Sequence, residues 1–596
     1  MNLVKSLVVS LYYLIYLTLD YWMNVYFCVS LMFAVIIAFQ YAKQKKVLGK
    51  YPWVMLAANG GILYIAILMV VLQTGGLVPK IERGIFQWIY YILTFIFVLQ
   101  ISNRLWGSLL ETGVETRQEN TVFFKRIKNT IYAIGMVSMI PVIMISPYVF
   151  ARADDYSFGY HCRAAWEDTG SLWEVIKGAF AMIEEAFVGW QGTYSSIFMM
   201  AIQPAVFDER LYAVVPMFFV LIITASSCFF LKTILIDWLN ADRTISKICI
   251  GAYLLLGIQC IPVIQSAFFW YNGAVHYITS HCMQLCMMAF LIRLYIGKRR
   301  WTDYLGCIVS SIYVGGGNLM TLVGTLFLTL TIMLVIFVTK SWRKKKNIAV
   351  MCVVYWGAMA VNLIAPGNYS RLEKADGMGL IESFFQAFIG SAKFLFGEWM
   401  HWSVVLVLLF LIPFLWKIVR SIKISFSYPL MVIGYSWCYL ASLFFPMMYG
   451  AGGNRAGRYE NIMFLQGILL LFFNIAYVLG WIQRKYDLMD KECIVRNERV
   501  YLNTIAACIG IGLMLGYFAE PTRYLTLGCI DTLGNREALQ EYSQDYWENV
   551  AMFTSGEDNI TANNLYNIPE FLEARESEAW HAGVRPFYRF QGLEFK

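Results

Sequence analysis

The sequence has little charge and none of the motifs that mark common soluble enzymes. Only 14% of its 596 residues are charged and 59% are hydrophobic, whereas soluble domains contain about 25% and about 45–50% of these classes. It contains no Walker A loop, no HExxH, no GxSxG and no dinucleotide fingerprint. The composition excludes a soluble globular domain. The missing Walker A loop argues against an ATP-driven pump, and we expect no nucleic-acid partner.

The sequence also lacks a cysteine or histidine framework. None of the thirteen cysteines forms a CxxC pair, and most of them lie inside apolar runs, as small core residues do. The five histidines include no pair at a convincing ligand spacing. The sequence therefore requires no cofactor and no structural metal.

Long apolar runs are abundant instead. A helix needs about 20 apolar residues to cross a bilayer. The apolar run at 3–19 could be a short span in addition to those given below, or a helix that lies at the membrane interface. We predict an all-α polytopic protein of the cell membrane with about 14 spans. These spans lie near 22–43, 52–72, 84–103, 130–150, 211–231, 247–266, 273–296, 302–314, 319–339, 347–365, 403–420, 427–446, 459–482 and 500–518.

The distribution of basic residues orients these spans. With this set of spans, every cluster of Lys and Arg falls on one side, which is therefore predicted to be cytoplasmic. The agreement requires 301–340 to form a tight hairpin around Gly315, Gly316 and Gly317. The acidic, aromatic segment 151–210 and the tail 519–596 then lie outside the membrane, on the extracytoplasmic face.

Two adjacent carboxylates, Asp154 and Asp155, follow closely after the span 130–150. Adjacent carboxylates repel each other, and desolvation at a membrane surface raises their pKa further. Such a pair is suited to act as a general base or to hold a divalent cation. The same two residues would also fit a solvated loop or a helix cap, so both interpretations stay open.

A second group of candidates follows the span 247–266. Aromatic rings with an amide and an imidazole are typical of sugar-binding surfaces, because rings stack on sugar C–H faces and hydroxyls need polar partners. An interfacial aromatic belt is the competing interpretation. The members of this group are Trp270, Tyr271, Asn272 and His276.

Two further segments carry arginines on the predicted outer side. Arg371 follows Asn368 in the run Pro-Gly-Asn-Tyr-Ser-Arg, and a Gly-rich turn holds Asn454, Arg455 and Arg458. Arginine binds phosphate through paired hydrogen bonds, which would suit a lipid-linked phosphate. Snorkelling of the guanidinium groups to lipid headgroups is the alternative.

These features together resemble the GT-C superfamily of integral-membrane glycosyltransferases, and bacterial members related to O-antigen glucosyltransferases in particular. Asp154 and Asp155, followed by an amphipathic stretch at 171–187, resemble that family's acidic pair and juxtamembrane helices. The resemblance implies an accessory module at 1–129, a GT-C-like core at 130–518 and a small outer tail at 519–596. The family's acidic loop usually follows the first span, whereas here it follows about the fourth.

The resemblance also implies a chemistry and its participants. The donor would be a polyprenyl-phosphate-linked sugar, the acceptor a glycan or lipid-linked molecule, and Asp154 or Asp155 the base, with a divalent cation as a further option at this pair. The leaving phosphate and the sugar would be bound by Arg371, Arg455, Arg458, Asn368, Asn454, Trp270, Tyr271, Asn272 and His276.

Three other functions remain compatible with the sequence. A transporter or flippase would explain the many spans and the glycines at 315–317, although no internal repeat is present. A polysaccharide polymerase or ligase would use outer arginines without an acidic pair. A membrane scaffold would use the tail as its binding element.

Overall fold

The computed structural model describes residues 117–152, 154–373, 377–395, 402–453, 457–486, 521–563, 565, 568–572 and 583–595. Several predicted features lie outside these residues. They are the apolar run at 3–19, the spans at 22–43, 52–72, 84–103 and 500–518, and the candidate ligands Asn454 and Arg455.

The described part of the chain is mostly helical, with one small sheet near its end. Two short strands, β1 (Asn559–Ala562) and β2 (Gly592–Phe595), pair in parallel, with Asn559 opposite Gly592. The helices are α1 (Arg117–Val137), α2 (Ile140–Ile145), α3 (Asp154–Thr169), α4 (Leu172–Gly189), α5 (Tyr194–Ala201), α6 (Val215–Lys232), α7 (Arg243–Gln259), α8 (Tyr271–Tyr295), α9 (Trp301–Gly315), α10 (Leu319–Val338), α11 (Trp342–Leu363), α12 (Pro366–Glu373), α13 (Leu380–Lys393), α14 (Trp402–Ser421), α15 (Pro429–Ala451), α16 (Arg458–Lys485), α17 (Leu525–Gly534), α18 (Arg536–Phe553) and α19 (Val584–Tyr588).

Within the described residues, seven helices are long and apolar enough to cross a membrane. Each coincides with a predicted span, which confirms the all-α character and fits a membrane protein. Three more predicted spans coincide with α7, α9 and α14, of 17, 15 and 20 residues; the total of about 14 stays a prediction. The seven are Val122–Tyr148, Glu209–Trp238, Tyr271–Tyr295, Leu319–Val338, Lys345–Leu363, Pro429–Ala451 and Arg458–Lys485.

The predicted hairpin around the three glycines is present between α9 and α10. The side chain of Asn318 caps α10 by accepting a hydrogen bond from the backbone N–H of Thr321 at 2.9 Å. Asn362 Nδ2 donates to the carbonyls of Gly315 and Gly317 at 2.9 and 3.0 Å. These bonds satisfy the backbone of a buried turn, as a low-dielectric interior requires.

A cluster of buried amides joins the central helices. Gln466 on α16 donates through Nε2 to Gln284 Oε1 at 2.6 Å and lies 2.9 Å from Nδ1 of His281, both on α8. Tyr439 on α15 donates to Gln466 Oε1 at 3.1 Å. Hydrogen bonds between apolar helices fix their relative height, so this cluster sets how the ends of α8 and α16 meet.

The tail after residue 520 packs on one end of the bundle. Arg152 Nη1 donates to the carbonyl of Leu572 at 2.5 Å, and the ring of Phe571 meets Phe269 edge-on at 5.5 Å. Thr526 Oγ1 donates to Gln259 Oε1 at 2.8 Å. We call this end of the bundle the site end, because the N-termini of α3, α8 and α16 lie there.

Candidate functional site

Asp155, in the first turn of α3, is fully buried and serves as an anchor. Its Oδ2 accepts from the backbone N–H of Arg152 at 3.0 Å and from the Tyr212 hydroxyl at 2.6 Å. Its Oδ1 accepts from the backbone N–H of Asn272 at 3.1 Å. Three donors from three segments therefore hold this carboxylate, and it ties the start of α3 to the start of α8.

The protonation of Asp155 follows from its burial. Loss of solvation raises the pKa of its carboxyl to about 7, and the hydrogen bonds from Tyr212 and Arg152 only partly oppose that rise. A carboxyl with both oxygens occupied has little capacity to accept a further proton donor from a substrate. Its geometry is that of a positioning residue.

Asp154 is only partly buried, and its carboxylate, unlike that of Asp155, is available to a ligand. No hydrogen bond to this carboxylate forms within the described part of the chain. Burial raises its pKa, and the positive charge of Arg458 on α16 opposes that rise. Asp154 thus combines a partly desolvated, unoccupied carboxylate with a nearby cation, which suits a general base.

The segment between α7 and α8 and the first turns of α8 are irregular, and they position the second group of candidates. The span predicted at 247–266 ends as a regular helix at Gln259, because Pro262 lacks a backbone N–H and disfavours helical geometry in the residue before it. π-Helical turns follow at Gln265–Phe269 and Val275–Thr279. Such turns are frequent at functional sites, and these two flank Trp270.

The predicted sugar-binding residues differ in what their polar atoms do. Tyr271 is committed to the fold, because its hydroxyl donates to the Met199 carbonyl at 3.2 Å. In contrast, Trp270 Nε1, both amide atoms of Asn272 and His276 Nδ1 are buried and have no hydrogen-bond partner among the described residues. Buried polar atoms are normally paired, so this group of donors and acceptors is suited to a polar ligand.

Two arginines border the same group. The Arg458 guanidinium lies over the ring of Trp270 at 5.5 Å and near Tyr277 at 5.9 Å. Arg371 stacks on Trp190 at 4.8 Å and donates through Nη1 to Gln191 Oε1 at 2.8 Å. The charges of both arginines act on His276. Two cations beside neutral polar groups form an environment that attracts an anion.

Asn368 has a structural role. Its Oδ1 accepts from the backbone N–H of Gly192 at 2.9 Å, and its Nδ2 donates to the Asn362 carbonyl at 2.7 Å. The amide is therefore occupied in holding the turn after α4, where Gln191 contacts Arg371. We remove Asn368 from the ligand-binding candidates and assign it to positioning.

A divalent cation shared by the two aspartates would have to displace the donors that Asp155 already accepts. Within the described residues, no three His, Cys, Asp or Glu side chains lie close enough together to hold a metal ion. Of the two aspartates, only Asp154 has a carboxylate that a cation could bind without displacing a hydrogen bond from a described residue.

Sequence reasoning missed a buried carboxylate close to the site. Glu209 is 6% exposed; its Oε2 accepts from Tyr546 at 2.8 Å and its Oε1 accepts from Tyr588. The available signal was a charged triplet, Asp208 to Arg210, directly before an apolar run. Nothing in the sequence indicated its partners, which lie more than 300 residues further along.

No protein-family model, no curated protein and no solved structure matches this chain.

Proposed function

We propose that the protein is a membrane glycosyltransferase of GT-C type that moves a sugar from a polyprenyl phosphate to an acceptor hydroxyl. The observation that carries the proposal is the unoccupied carboxylate of Asp154, which faces Arg458 beside the buried polar atoms of Trp270, Asn272 and His276. A base, a phosphate-binding cation and a group of hydroxyl partners are the components that this reaction needs. The site end then faces the extracytoplasmic side, opposite the basic clusters.

The transfer step assigns a task to each group. The acceptor O–H gives its proton to Asp154 while its oxygen forms a bond to the anomeric carbon of the sugar. The bond from that carbon to the phosphate oxygen breaks, and the polyprenyl phosphate leaves with the electron pair. Arg458, assisted by Arg371, stabilises the negative charge that develops on the phosphate.

The sugar is held by the unpaired polar atoms while this happens. Trp270 Nε1 can only donate, and the Asn272 amide and His276 Nδ1 can match either donors or acceptors on hydroxyls. Asp155 keeps these atoms in place, because it binds the backbone of Asn272 and, through Tyr212, the backbone N–H of Tyr271 at 2.8 Å.

Sugar transfer by the purified protein in lipid nanodiscs, from a panel of polyprenyl-phosphate-linked sugars, tests this proposal. We expect Asp154→Asn to lower the transfer rate by about a hundredfold or more, because it removes the base. Asp168→Asn is the matched control, since Asp168 lies on the same helix but is paired with Arg589 on the surface.

Each outcome decides a different point. Full activity of Asp154→Asn would remove Asp154 as the base while keeping the reaction class. Absence of transfer by the wild-type protein from every donor would reject glycosyl transfer and favour transport or polymerisation.

A further inference from the structure

A cleft of about 530 Å³ lies at the site end, separate from the Asp154 group. We call it the tail cleft. It is bounded by Pro147–Phe150 at the end of one candidate span, by Glu209–Ala213 at the start of another, and by α18 of the tail. Its volume falls within the roughly 300–1,000 Å³ of small-molecule sites.

The walls of the tail cleft combine aromatic rings with polar groups. Tyr148 and Trp547 are partly exposed, and Ser543 adds a hydroxyl. The side chain of Arg210 is exposed and forms no hydrogen bond or ion pair with any other described residue. Aromatic faces suit sugar rings, and an unengaged guanidinium suits a phosphate.

The flanks of the tail cleft are apolar. Ile143 and Met144 on α2 are 54% and 55% exposed, and Leu211 and Val214 beside Arg210 are 46% and 56% exposed. Exposed apolar side chains at the ends of candidate spans contact acyl chains. The cleft therefore opens where lipid-facing surface meets the polar tail, a position suited to an amphiphile whose headgroup enters and whose chain stays in the bilayer.

The tail cleft shares its framework with the proposed base. The Tyr156 hydroxyl lies 3.0 Å from that of Tyr546, which stacks on the cleft-lining Phe150 at 4.0 Å. Tyr212, on the same turn as Arg210, donates to Asp155. The cleft and Asp155, the neighbour of the proposed base, are thus held by the same side chains. This arrangement would suit a reaction whose two substrates bind side by side.

We propose that the tail cleft binds the headgroup of a lipid-anchored, phosphate-linked saccharide, with the phosphate on Arg210 and sugar rings on Tyr148 and Trp547. This assignment rests on the proposed function, in which the bound molecule is the acceptor. The acceptor is then lipid-linked rather than a free glycan. The tail then supplies part of the acceptor site through Trp547 and Ser543.

Direct binding tests this assignment without relying on transfer. The probe is a polyprenyl-diphosphate-linked N-acetylhexosamine added to protein in phosphatidylcholine nanodiscs, in an Arg458→Gln background that weakens the donor phosphate site. We expect Arg210→Gln and Trp547→Ala each to weaken binding by about tenfold or more, the loss associated with a charge-assisted hydrogen bond or a stacked ring. Arg536→Gln, at the exposed start of α18, is the control and should bind normally.

Several results would overturn the assignment. Absence of binding, or equal binding by the Arg210→Gln variant, would reject the site. Equal competition by phosphatidylglycerol would mean a general lipid contact, and equal competition by inorganic diphosphate would mean a free anion site. If the wild-type protein transfers sugar while cleft variants bind the probe normally, the proposed function stands and this acceptor site fails.

Discussion

At the scale of single residues, Asp154 and Asp155 have different tasks because they are neighbours on a helix. Consecutive side chains of an α-helix point about 100° apart, so the Asp155 carboxylate enters the core while that of Asp154 stays partly exposed, within the influence of the Arg458 charge. Asp155 accepts three hydrogen bonds, and Asp154 accepts none from the described residues. The two neighbours in the sequence motif thus differ: Asp155 is a positioning group, and Asp154 keeps a carboxylate that no described residue occupies.

We predict that Asp155→Asn lowers stability by about 1–3 kcal/mol, because its Nδ2 cannot accept from the Arg152 N–H. The folded pKa of Asp155, about 7, lies above its ordinary value of 3.8. Its protonated form therefore stabilises the fold below about pH 4, and this contribution is lost as the pH rises through 7. Thermal unfolding between pH 4 and pH 8 should show a decline in the wild type that is weaker in Asp155→Asn.

Asp168→Asn serves as the control for that experiment, since the surface carboxylate of Asp168 should leave the decline intact. An equally steep decline in the wild type and in Asp155→Asn would show that another group causes it.

The sequence could locate the acidic pair but could not divide its roles. Two of the three partners of Asp155 lie 57 and 117 residues away, at Tyr212 and Asn272, and such contacts have no local signature. The same reason explains why Tyr271 and Asn368 were predicted to bind ligand although their polar atoms serve the fold. Local composition indicated a polar, aromatic surface, while tertiary contacts decide which atoms remain available.

At the scale of elements, the joint between α16 and the segment before Trp270 determines where Arg458 lies. Asn461 is fully buried on α16; its Oδ1 accepts from the Val263 N–H at 2.9 Å. Its Nδ2 donates to the Val263 carbonyl at 2.9 Å and to Ser266 Oγ at 3.2 Å. Because Asn461 follows Arg458 by three residues, both side chains are on nearly the same face of the helix.

We predict that Asn461→Leu raises the KM for the sugar donor by about tenfold, since a misplacement of about 1 Å is costly in a preorganised site. Asn474→Leu on the same helix is the control. The Nδ2 of Asn474 donates to the Leu470 carbonyl of its own helix and its Oδ1 accepts from Ser436 on α15 at 3.3 Å, so neither bond involves the segment before Trp270. KM and thermal stability should be measured together. An equal rise in KM and an equal loss of stability in both variants would mean that Asn461 merely supports the helix.

The turn between α4 and α5 offers a second test at this scale. A Cβ on Gly192 would lie 2.1 Å from the Asn362 carbonyl oxygen, whereas one on Gly357 in α11 would meet nothing within 4 Å. We predict that Gly192→Ala destabilises the protein by more than about 2 kcal/mol, and that Gly357→Ala is neutral or stabilises by about 0.5–1 kcal/mol. Chemical denaturation would measure both, and a tolerated Gly192→Ala would contradict the close approach.

Apolar periodicity and length were sufficient to predict the long apolar helices of the described region, because each span must satisfy its own backbone hydrogen bonds. They did not predict the shorter helices of the outer segments, such as α3, α5 and α12. They were insufficient at 260–279, where a proline and two π-helical turns interrupt an apolar run. Hydropathy is insensitive to such turns, since they change the hydrogen-bond pattern and leave the composition unchanged. The Gly-rich hairpin at 315–317 was predictable because glycine marks turns directly.

At the scale of the whole molecule, the tail and the bundle share one core. The tail rings of Tyr546, Tyr588 and Phe571 are buried against the segments that carry Asp155, Glu209 and Phe269. The sequence indicated that the tail lacks a span and is acidic, but it did not indicate this packing. A tail that packs against the start of α3 would exclude water from the proposed reaction, which strengthens electrostatic interactions within a site.

The docking of the tail should depend on its buried contact with Glu209 more than on its surface ion pair. Tyr588→Phe removes the hydroxyl that donates to Glu209 Oε1, and we predict a loss of about 1–3 kcal/mol, the cost of leaving a buried acceptor without its donor. Arg589→Gln removes an exposed pair with Asp168, and exposed pairs contribute little. Limited proteolysis should therefore cut the tail faster in Tyr588→Phe and at the normal rate in Arg589→Gln.

The same comparison links the tail to catalysis. Tyr588 contacts the ring of Tyr156 at 6.0 Å, one residue beyond Asp155, so a loosened tail should also loosen the start of α3 and lower sugar transfer. Equal protease sensitivity of the two variants would show that the surface pair contributes as much as the buried one. A loosened tail with full transfer activity would show that the tail covers the site without positioning Asp154.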